Sequence, residues 1–591
     1  MRKLWLILVG ILSVTGLLTI LTLAGIVYGV AHMATPGKPD LPKQIVLEID
    51  LNQGVVDEPP VYDPLHAFTK QHGPLKLAEI DEALELAGRD QRVKGLSLRL
   101  GSSELGLAQA QEVRAALLKF KATGKPIFAF AESFGEMGGG TIDAYVASAA
   151  VEIWMQPSGD MGLIGFSAEM PFIKGSLDLL GIRPEFQRRH EFKSAIETFT
   201  EKSMTAESRE SMKSLLDSFL AQVVAGLAEG RRLPVETVRA LIDQGPLGAE
   251  EALEAKLIDR LGYADEADDA ITDKFPESDF VDLAEFLSAS ERLHAKGAKK
   301  IAVIHAQGPV VGGAGGQPFD GSKMMVAGEI AEALADAGDD EDVAAIILRI
   351  DSPGGSYLAS DTIWRAVALA KEAGKPVIAS IGDMAASGGY FVAMGADRIL
   401  APPGAITGSI GVFAGKMVVT DFLTKLGIGF EEIDAGANAG LLSPNRPFTP
   451  GQRAKLSRML DRIYADFTAK AGQGRKLDMA AMDKVARGRV FTGEQALKAG
   501  LIDELGGFDA ALAAARKAAK LDADAKIQLV YLPKPLSPVE KMLSLLESGG
   551  LPFGLQSLAR LAWKLDAMAE RMGLIEAAGH QARMPPVKVR N

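Results

Sequence analysis

The chain has 591 residues, of which 47% are hydrophobic and 24% charged, and its formal net charge at pH 7 is −12. This composition is typical of a globular protein with more than one domain, and the lack of a basic stripe argues against a nucleic-acid partner. The chain has no cysteine, which excludes a thiol nucleophile and a disulfide framework. The seven histidines have no zinc-site spacing, so we expect no metal and no other cofactor.

The first predicted element is a transmembrane helix over residues 4–31, an uncharged run of 28 residues. As a helix this run would be about 42 Å long, more than the ~30 Å hydrocarbon core of a bilayer. It is also longer than the apolar region of a cleavable signal sequence. Arg2 and Lys3 precede it and predict a cytoplasmic N-terminus, so the body of the chain would lie outside the cytoplasm.

The body of the chain is predicted to consist of two copies of one fold. Five pairs of similar segments occur in the same order: 45–56 with 301–310, 93–100 with 343–350, 124–127 with 374–377, 180–182 with 426–428, and 257–262 with 501–506. Five ordered matches indicate an internal duplication. The predicted domains are an N-terminal copy over 45–265, a linker over 266–300, a C-terminal copy over 301–515 and a tail over 525–591.

Within each predicted copy, short apolar strands alternate with amphipathic helices, a pattern typical of an α/β fold with mostly parallel strands. Helices are predicted over 108–121 and 359–373, each followed by a Gly-Lys-Pro turn into the next strand. Helical pairs over 205–244 and 449–487 extend each copy. In the tail, an amphipathic stretch over 551–572 is typical of a helix docked on the body.

Because the fold occurs twice, each copy serves as a control for the other. Ser387 lies at a predicted strand-to-helix turn and is followed by two glycines, whereas the N-terminal copy has no serine in register. The glycine loop over 351–355 and Ser409 also belong to the C-terminal copy alone. A serine followed by glycines can place backbone N–H groups beside a developing oxyanion. The pattern therefore predicts a nucleophile in the C-terminal copy.

The N-terminal copy carries the complementary residue. After the shared Leu-Gly-Ile segment it has Lys193, and the C-terminal copy has no lysine or histidine there. A buried lysine can be neutral and then act as a general base toward a serine hydroxyl. We therefore predict one composite site, in which Ser387 attacks a carbonyl, Lys193 accepts its proton and Ser409 orients the lysine. The oxyanion would be bound by the N–H groups of Gly388 and of Gly354 or Gly355.

Other candidates have less support. His190 and His305 could supply a Ser-His pair, but neither lies in a motif with an acid, and structural roles are the simpler interpretation. Asp351 fits a loop-capping role, and no role is derived for Asp383.

In combination, the segments Asp351–Gly355, Ala386–Tyr390, Thr407–Gly411 and Lys193–Ala195 resemble the long form of the signal peptide peptidase A (protease IV) family. The resemblance implies tandem ClpP/crotonase-like domains and a homotetramer. It further implies a single-pass protein of the bacterial inner membrane with a periplasmic body. The implied activity is that of a serine endopeptidase acting on signal peptide remnants, with Ser387 as nucleophile and Lys193 as base. Residues 581–591 of the tail match nothing in the family.

Two other functions remain to be weighed against a peptidase. An acyl-CoA enzyme of the crotonase type also uses glycine N–H groups at an oxyanion, but it needs no Ser-Lys pair across two copies. A membrane scaffold would have no reason to keep complementary residues in its two halves. The pairing of Lys193 with Ser387 therefore favours a peptidase.

Overall fold

The computed structural model describes residues 39–57, 73–136, 138–293, 299–313, 323–522, 525–533, 581–583 and 588–590. The predicted transmembrane helix over 4–31 and the amphipathic stretch over 551–572 lie outside these residues. None of the helices within these ranges is both long enough and apolar enough to cross a bilayer.

The described N-terminal half, up to residue 293, contains twelve strands and ten α-helices. The strands are β1 Ile45–Asp50, β2 Val55–Val56, β3 Leu75–Lys76, β4 Val93–Arg99, β5 Ile127–Ala131, β6 Glu152–Met155, β7 Asp160–Met161, β8 Ser167–Glu169, β9 Arg183–Arg188, β10 Leu247–Gly248, β11 Arg260–Leu261 and β12 Asp279–Asp282. The helices are α1 Leu77–Arg89, α2 Leu107–Ala122, α3 Thr141–Ala147, α4 Lys174–Leu180, α5 Glu197–Thr200, α6 Ala206–Arg231, α7 Val235–Gln244, α8 Ala249–Glu254, α9 Ala264–Lys274 and α10 Leu283–Ala289.

The described C-terminal half contains the remaining elements. Its strands are β13 Lys299–Gln307, β14 Val310–Val311, β15 Met325–Val326, β16 Val343–Ser352, β17 Gly354–Ser356, β18 Val377–Ala386, β19 Arg398–Ala401, β20 Ile406–Gly408, β21 Phe413–Val418, β22 Val490–Thr492, β23 Glu504–Leu505, β24 Ile527–Leu532, β25 Gln581–Arg583 and β26 Lys588–Arg590. Its helices are α11 Ala327–Asp339, α12 Tyr357–Glu372, α13 Gly388–Ala393, α14 Thr420–Lys425, α15 Pro450–Arg475, α16 Met479–Val485, α17 Gly493–Lys498 and α18 Phe508–Ala518.

The two halves are built on parallel sheets with the same strand order. The N-terminal sheet runs β11-β6-β5-β4-β1-β12, and the C-terminal sheet runs β23-β19-β18-β16-β13-β24. In both halves a short antiparallel pair follows, β7 with β10 and β20 with β22. This strand-for-strand agreement is the structural form of the duplication found in the sequence. The sheets are flanked by helices, as the alternation of strands and helices predicted.

The central strand β16 illustrates why these segments form buried parallel strands. Its residues Val343–Ile350 are almost all apolar, as expected of a strand covered on both faces. Ile346 and Leu348 point into a core shared with helices α11 and α12, whereas Ile347 packs in a separate core with helix α18. The side chains thus alternate between two apolar layers with the period of two that a strand imposes.

Residues between the predicted copies take part in the N-terminal sheet. The predicted linker over 266–300 includes β12, which pairs in parallel with β1. The beginning of the predicted tail contains β24, which pairs in parallel with β13 in the same way. Each half therefore gains its outermost strand from the segment that follows the copy.

A second sheet joins the two halves and positions the site. Its order is β15-β14-β17-β25-β21-β9, so β9 of the N-terminal copy lies in a sheet with strands of the C-terminal copy. β9 pairs antiparallel with β21 over six residue pairs, from Arg188 opposite Phe413 to Arg183 opposite Val418. This pairing brings the segment that follows β9, which contains Lys193, to the C-terminal copy.

Candidate active site

Ser387 occupies a strained turn between strand β18 and helix α13. Its backbone has φ 56° and ψ −112°, a conformation that a residue other than glycine adopts only when the surrounding structure enforces it. The Ser387 N–H donates to Gly408 O at 2.8 Å, which fixes the turn against β20. The side chain is buried. A serine on such a turn, at the start of a helix, has the geometry of a nucleophile elbow.

The N-terminal copy has a comparable hydrogen bond at the start of its own helix, but its backbone there has φ −111° and ψ 13° and carries no hydroxyl. Gly140 precedes helix α3, and its N–H donates to Gly162 O at 2.7 Å, as Ser387 does to Gly408. By this hydrogen bond Gly140 corresponds to Ser387, and a Cβ at Gly140 would lie 1.9 Å from Phe134 O, so the N-terminal copy has no room for a serine there.

Lys193 is held by a loop that both copies fix in place. Arg188 at the end of β9 donates to the buried Glu197 at 2.7 Å and to Lys193 O at 3.3 Å. Arg487 of the C-terminal copy forms two bonds with Glu191, at 2.8 and 2.9 Å. These bonds hold the backbone on either side of Lys193, whose side chain is buried.

The structure brings Lys193 to both predicted serines within one chain. Lys193 Nζ lies 2.6 Å from Ser387 Oγ, 3.1 Å from Ser409 Oγ and 3.0 Å from Ser409 O. The lysine is only 1% exposed. Burial lowers the pKa of Lys193 to about 7, because the charged ammonium loses its hydration. An amine of this kind can be neutral near neutral pH.

The predicted oxyanion glycines lie against the nucleophile turn. A Cβ at Gly388 would be 2.9 Å from Gly355 N and 3.3 Å from Gly354 Cα, so only glycine allows this approach. Gly354 has φ 100°, which also favours glycine. Gly388 is the first residue of helix α13, and the first N–H groups of a helix have no acceptor within it. The Gly354 N–H donates to Ser352 Oγ at 3.2 Å, and the arrangement places the N–H groups of Gly388 and Gly355 near Ser387.

Two further glycines shape the lysine pocket, a role that was not predicted for either of them. Gly488 has φ 85°, and a Cβ there would lie 2.5 Å from Lys193 N. A Cβ at Gly411 would lie 3.1 Å from Lys193 Cδ. Gly411 falls within the Thr-Gly-Ser-Ile-Gly segment, but Gly488 belongs to no motif. Only its neighbour in space identifies Gly488 as part of the site.

The other sequence candidates lie elsewhere. The His190 ring packs on Tyr464 with centroids 4.5 Å apart, and the His305 ring stacks on Tyr531 at 5.8 Å. Asp351 accepts the Met384 N–H at 3.1 Å, and Asp383 accepts the Gln109 N–H at 3.3 Å. Asp351 thus bonds to backbone near the nucleophile turn, in keeping with the loop-capping role predicted for it, whereas the bond of Asp383 to helix α2 was not predicted.

The tail, which resembled nothing in sequence, supplies two strands. β25 pairs antiparallel with β17, with Gly355 opposite Ala582, and also pairs with β21 at Phe413. β26 pairs antiparallel with β8. The backbone of residues 581–583 therefore fills the groove between β17 and β21, which we call the strand groove. Its two walls adjoin the predicted oxyanion glycines and the Ser409 segment.

A buried serine on a strained turn, set in a duplicated α/β chain, is the architecture of a serine hydrolase. The sequence pattern described as "Peptidase family S49" matches residues 119–274 and 369–522. The first match contains Lys193, and the second contains Ser387 and Ser409. The chain belongs to Peptidase family S49, and its enzymatic class is that of a serine peptidase.

Similar proteins come from a plant and from bacteria. The chain is 32% identical over 479 residues to "Serine protease SPPA, chloroplastic" of Arabidopsis thaliana, covering 80% of this chain and 70% of that protein. It is 31% identical over 497 residues to "Protease 4" of Salmonella typhi, covering 80% and 78%. "Protease 4" of Haemophilus influenzae is 30% identical over 488 residues, covering 79% and 77%. These matches confirm the family resemblance inferred from the motifs.

Proposed function

We propose that this peptidase is a membrane-anchored endopeptidase in which Ser387 is the nucleophile and Lys193 the general base. The observation that carries the proposal is the 2.6 Å separation of Lys193 Nζ and Ser387 Oγ in a buried pocket. Such a distance is within the range required for direct proton transfer from a hydroxyl to a base.

The hydrogen-bond partners of Lys193 support the neutral amine as the working form. A neutral amine has two N–H donors and one lone pair, whereas an ammonium has three donors and no acceptor. Ser409 offers two acceptors, its carbonyl at 3.0 Å and its hydroxyl at 3.1 Å. Both N–H groups of the neutral amine can bond to Ser409, which leaves the lone pair for the Ser387 hydroxyl proton. Ser409 thereby orients the base.

The proposed reaction has two stages. Ser387 Oγ attacks the peptide carbonyl while its proton passes to Lys193 Nζ, and the N–H groups of Gly388 and of Gly354 or Gly355 bind the oxyanion. Lys193 then protonates the leaving amine, the C–N bond breaks and an acyl-serine forms. In the second stage Lys193 takes a proton from water as the water attacks the ester. Lys193 then returns this proton to Ser387 Oγ as the ester C–O bond breaks, which releases the acid and free Ser387.

The substrate is a peptide bound in extended form. The pairing of β25 with β17 supports this, because it demonstrates that the backbone of Gly354–Ser356 accepts an antiparallel strand. Strand addition uses main-chain hydrogen bonds and therefore tolerates many sequences. The resemblance to the signal peptide peptidase A family suggests signal peptide remnants as the peptides cleaved.

The proposal includes location and assembly. Residues 4–31 would anchor the chain as a single-pass helix in a bacterial inner membrane, with a cytoplasmic N-terminus, a periplasmic body, ClpP/crotonase-like copies and a homotetrameric assembly. A reporter active only in the periplasm, fused after residue 591, tests the orientation. An inactive reporter together with an active cytoplasmic one would contradict it.

Activity is tested on the full chain in detergent micelles with a peptide of signal-sequence composition. Ser387→Ala and Lys193→Ala are expected to lower kcat/KM by at least about 10³-fold, because each removes one partner of the proton transfer. Lys125→Ala is the control, since Lys125 is a half-buried lysine of the same copy as Lys193 and its Nζ bonds to Asp90 O at 2.6 Å. Full activity in Lys193→Ala would exclude Lys193 as the base.

A further inference from the structure

A buried ionic cluster joins the N-terminal copy to the strands that carry the catalytic loops. Arg349 on β16 is fully buried and bonds to Glu112 on helix α2 at 2.8 Å and to Asp57, which follows β2, at 2.9 Å. Both carboxylates belong to the N-terminal copy. Because β16 leads directly into the glycine loop, this bonding ties the predicted oxyanion loop to the other copy.

Asp383 attaches the nucleophile strand to the same helix. Its Oδ1 accepts the Gln109 N–H, the third amide of helix α2, at 3.3 Å. Gly106 precedes α2 and has no side chain to cap it, and a Cβ at Gly106 would lie 2.4 Å from Asp383 Oδ1. Asp383 therefore performs the N-cap function for a helix of the other copy. It lies on β18, which ends at Ser387.

Asp351 connects the two catalytic strands to each other. Its Oδ1 accepts the Met384 N–H at 3.1 Å, which bonds the end of β16 to β18 where their regular pairing shifts register, between Ile350 and Ser352. Two aspartates therefore hold the segments that lead to the oxyanion loop and to Ser387. Asp351 bonds within the C-terminal copy, and Asp383 bonds to the N-terminal copy.

The charges around Asp383 do not balance. Two carboxylates face it, Asp351 on β16 and Asp57 after β2, and the cation that faces it is Arg349. Glu112 on α2 belongs to the same cluster through Arg349 and Asp57, and Lys323 acts on Asp351. Burial first, and then the charge of Asp351, raise the pKa of Asp383 to about 7. Burial, and then the charge of Asp57, raise the pKa of Asp351 to about 6. One proton in the cluster relieves the repulsion between like charges.

We propose that Asp383 is a positioning residue for Ser387. As a neutral carboxyl it caps helix α2 and holds the strand that leads to the nucleophile; when it ionises, repulsion from Asp351 and Asp57 moves this strand and the oxyanion loop apart. The proposal rests on the proposed function, because it takes Ser387 as the nucleophile. Asp383 thereby sets an alkaline decline in activity, separate from the acid decline set by the lysine.

The test compares two substitutions in the full chain. Asp383→Asn keeps the oxygen that accepts the Gln109 N–H but cannot ionise, so it should stay within about threefold of wild type at pH 6 and lose the decline in kcat/KM between about pH 7.5 and 9.5. Asp383→Ala removes the cap, and kcat should fall at least about tenfold at every pH with KM little changed. Asp336→Asn, at an exposed carboxylate on α11, is the control and should match wild type.

An Asp383→Asn variant whose activity declines in parallel with wild type would overturn the proposal, as would an Asp383→Ala variant within twofold of wild type. Hydrogen exchange of residues 106–112 provides a readout independent of catalysis. Exchange at Gln109 should be at least about tenfold faster in Asp383→Ala and unchanged in Asp383→Asn. Unchanged exchange in Asp383→Ala would contradict the cap. If wild type cleaves no peptide, the proposed function fails. The exchange at Gln109 still shows in that case whether Asp383 caps helix α2.

Discussion

At the scale of single residues, the site depends on one burial effect. The proposed role of Lys193 as base requires that the interior disfavour its charge, and the same burial costs the folded protein stability wherever the lysine is protonated. Ser387 carries a second cost, since its φ of 56° is strained. Function and stability therefore oppose each other at both residues.

The pH dependence of catalysis follows from the lysine. The pKa of Lys193 is lowered from 10.5 to about 7, so its neutral form is lost below that pH. We expect kcat/KM to fall about tenfold per pH unit below about pH 6.5. A profile for the wild-type chain measured between pH 5 and 8 checks this. Constant activity down to pH 5 would mean that no base with this pKa is required.

Removal of the lysine should raise the stability of the fold, although it abolishes the proposed activity. Since the folded state binds the Lys193 proton less tightly than the unfolded state, the free energy of unfolding rises with pH between about 7 and 10.5. Lys193→Met is therefore expected to raise the thermal midpoint, most strongly below pH 7 and progressively less toward pH 10. Thermal scans of the inactive variant and wild type at pH 6 and pH 9 measure the difference. An equal gain at both values would contradict burial as the cause.

Ser409 tests the orientation of the base. Ser409→Ala removes the hydroxyl 3.1 Å from Lys193 Nζ and leaves the carbonyl at 3.0 Å. We expect kcat to fall by about 10- to 100-fold with little change in KM, because one of two orienting bonds is lost. Ser409→Gly, which tolerates the φ of 53° without strain, should lose as much. Recovery in the glycine variant would indicate that backbone strain, not the hydroxyl, is responsible.

At the scale of elements, the site depends on one strand pairing. β9 and β21 come from different copies, and their six residue pairs carry the lysine loop to Ser387. The turn before β22 packs against that loop, with Gly488 next to the backbone of Lys193. The catalytic contact is thus a consequence of how strands and turns meet, and small changes at these junctions should affect it.

Gly488→Ala tests this closure. The added Cβ would lie 2.5 Å from Lys193 N, so the lysine loop must shift, and we expect kcat to fall at least about 100-fold while the fold is retained. Gly500→Ala is the matched control, because Gly500 has a similar φ of 74° but its Cβ would approach nothing nearer than 3.8 Å. Both variants bear the same backbone strain, and only Gly488→Ala should lose activity. Equal losses would assign the effect to strain.

At the scale of the whole molecule, the duplication divides the site between the copies. The N-terminal copy keeps the backbone hydrogen bond at Gly140 but neither the strained turn nor the hydroxyl, and it supplies Lys193 and helix α2 to the other copy. Neither copy contains the complete proposed site, so we expect activity to require both copies in their native contact. The tail also contributes to this region, because its strand β25 lies in the strand groove.

Removal of residues 581–591 should leave the strand groove open to an extended peptide substrate. The tail strand and an extended substrate would bond to the same backbone of Gly354–Ser356, so the truncated chain is expected to show a KM lowered several-fold with kcat unchanged. Steady-state kinetics on a peptide substrate measure this. An Ala582→Pro chain, which lacks one N–H of the tail strand, should show a smaller change in the same direction. A higher KM after truncation would mean that the tail assists binding.

The sequence by itself determined the duplicated α/β architecture, because buried parallel strands are apolar and amphipathic helices are periodic in any context. Comparison of the copies also singled out Ser387, Lys193 and the glycines, since a duplication exposes residues that only one copy has. Their family resemblance is confirmed by the relatives. Periodicity and differences between the copies are properties of the sequence, so they are recognised without knowledge of the tertiary structure.

The tertiary structure decided what depends on contacts between distant segments. The pairing of β9 with β21, the position of Gly488 against Lys193, the cap that Asp383 provides to helix α2 and the strand from the tail all join residues far apart in sequence. No periodicity or motif encodes such contacts, because they arise only when the two copies pack together. For the same reason, burial of Lys193, and with it the lowered pKa of the amine, is a property of the folded molecule.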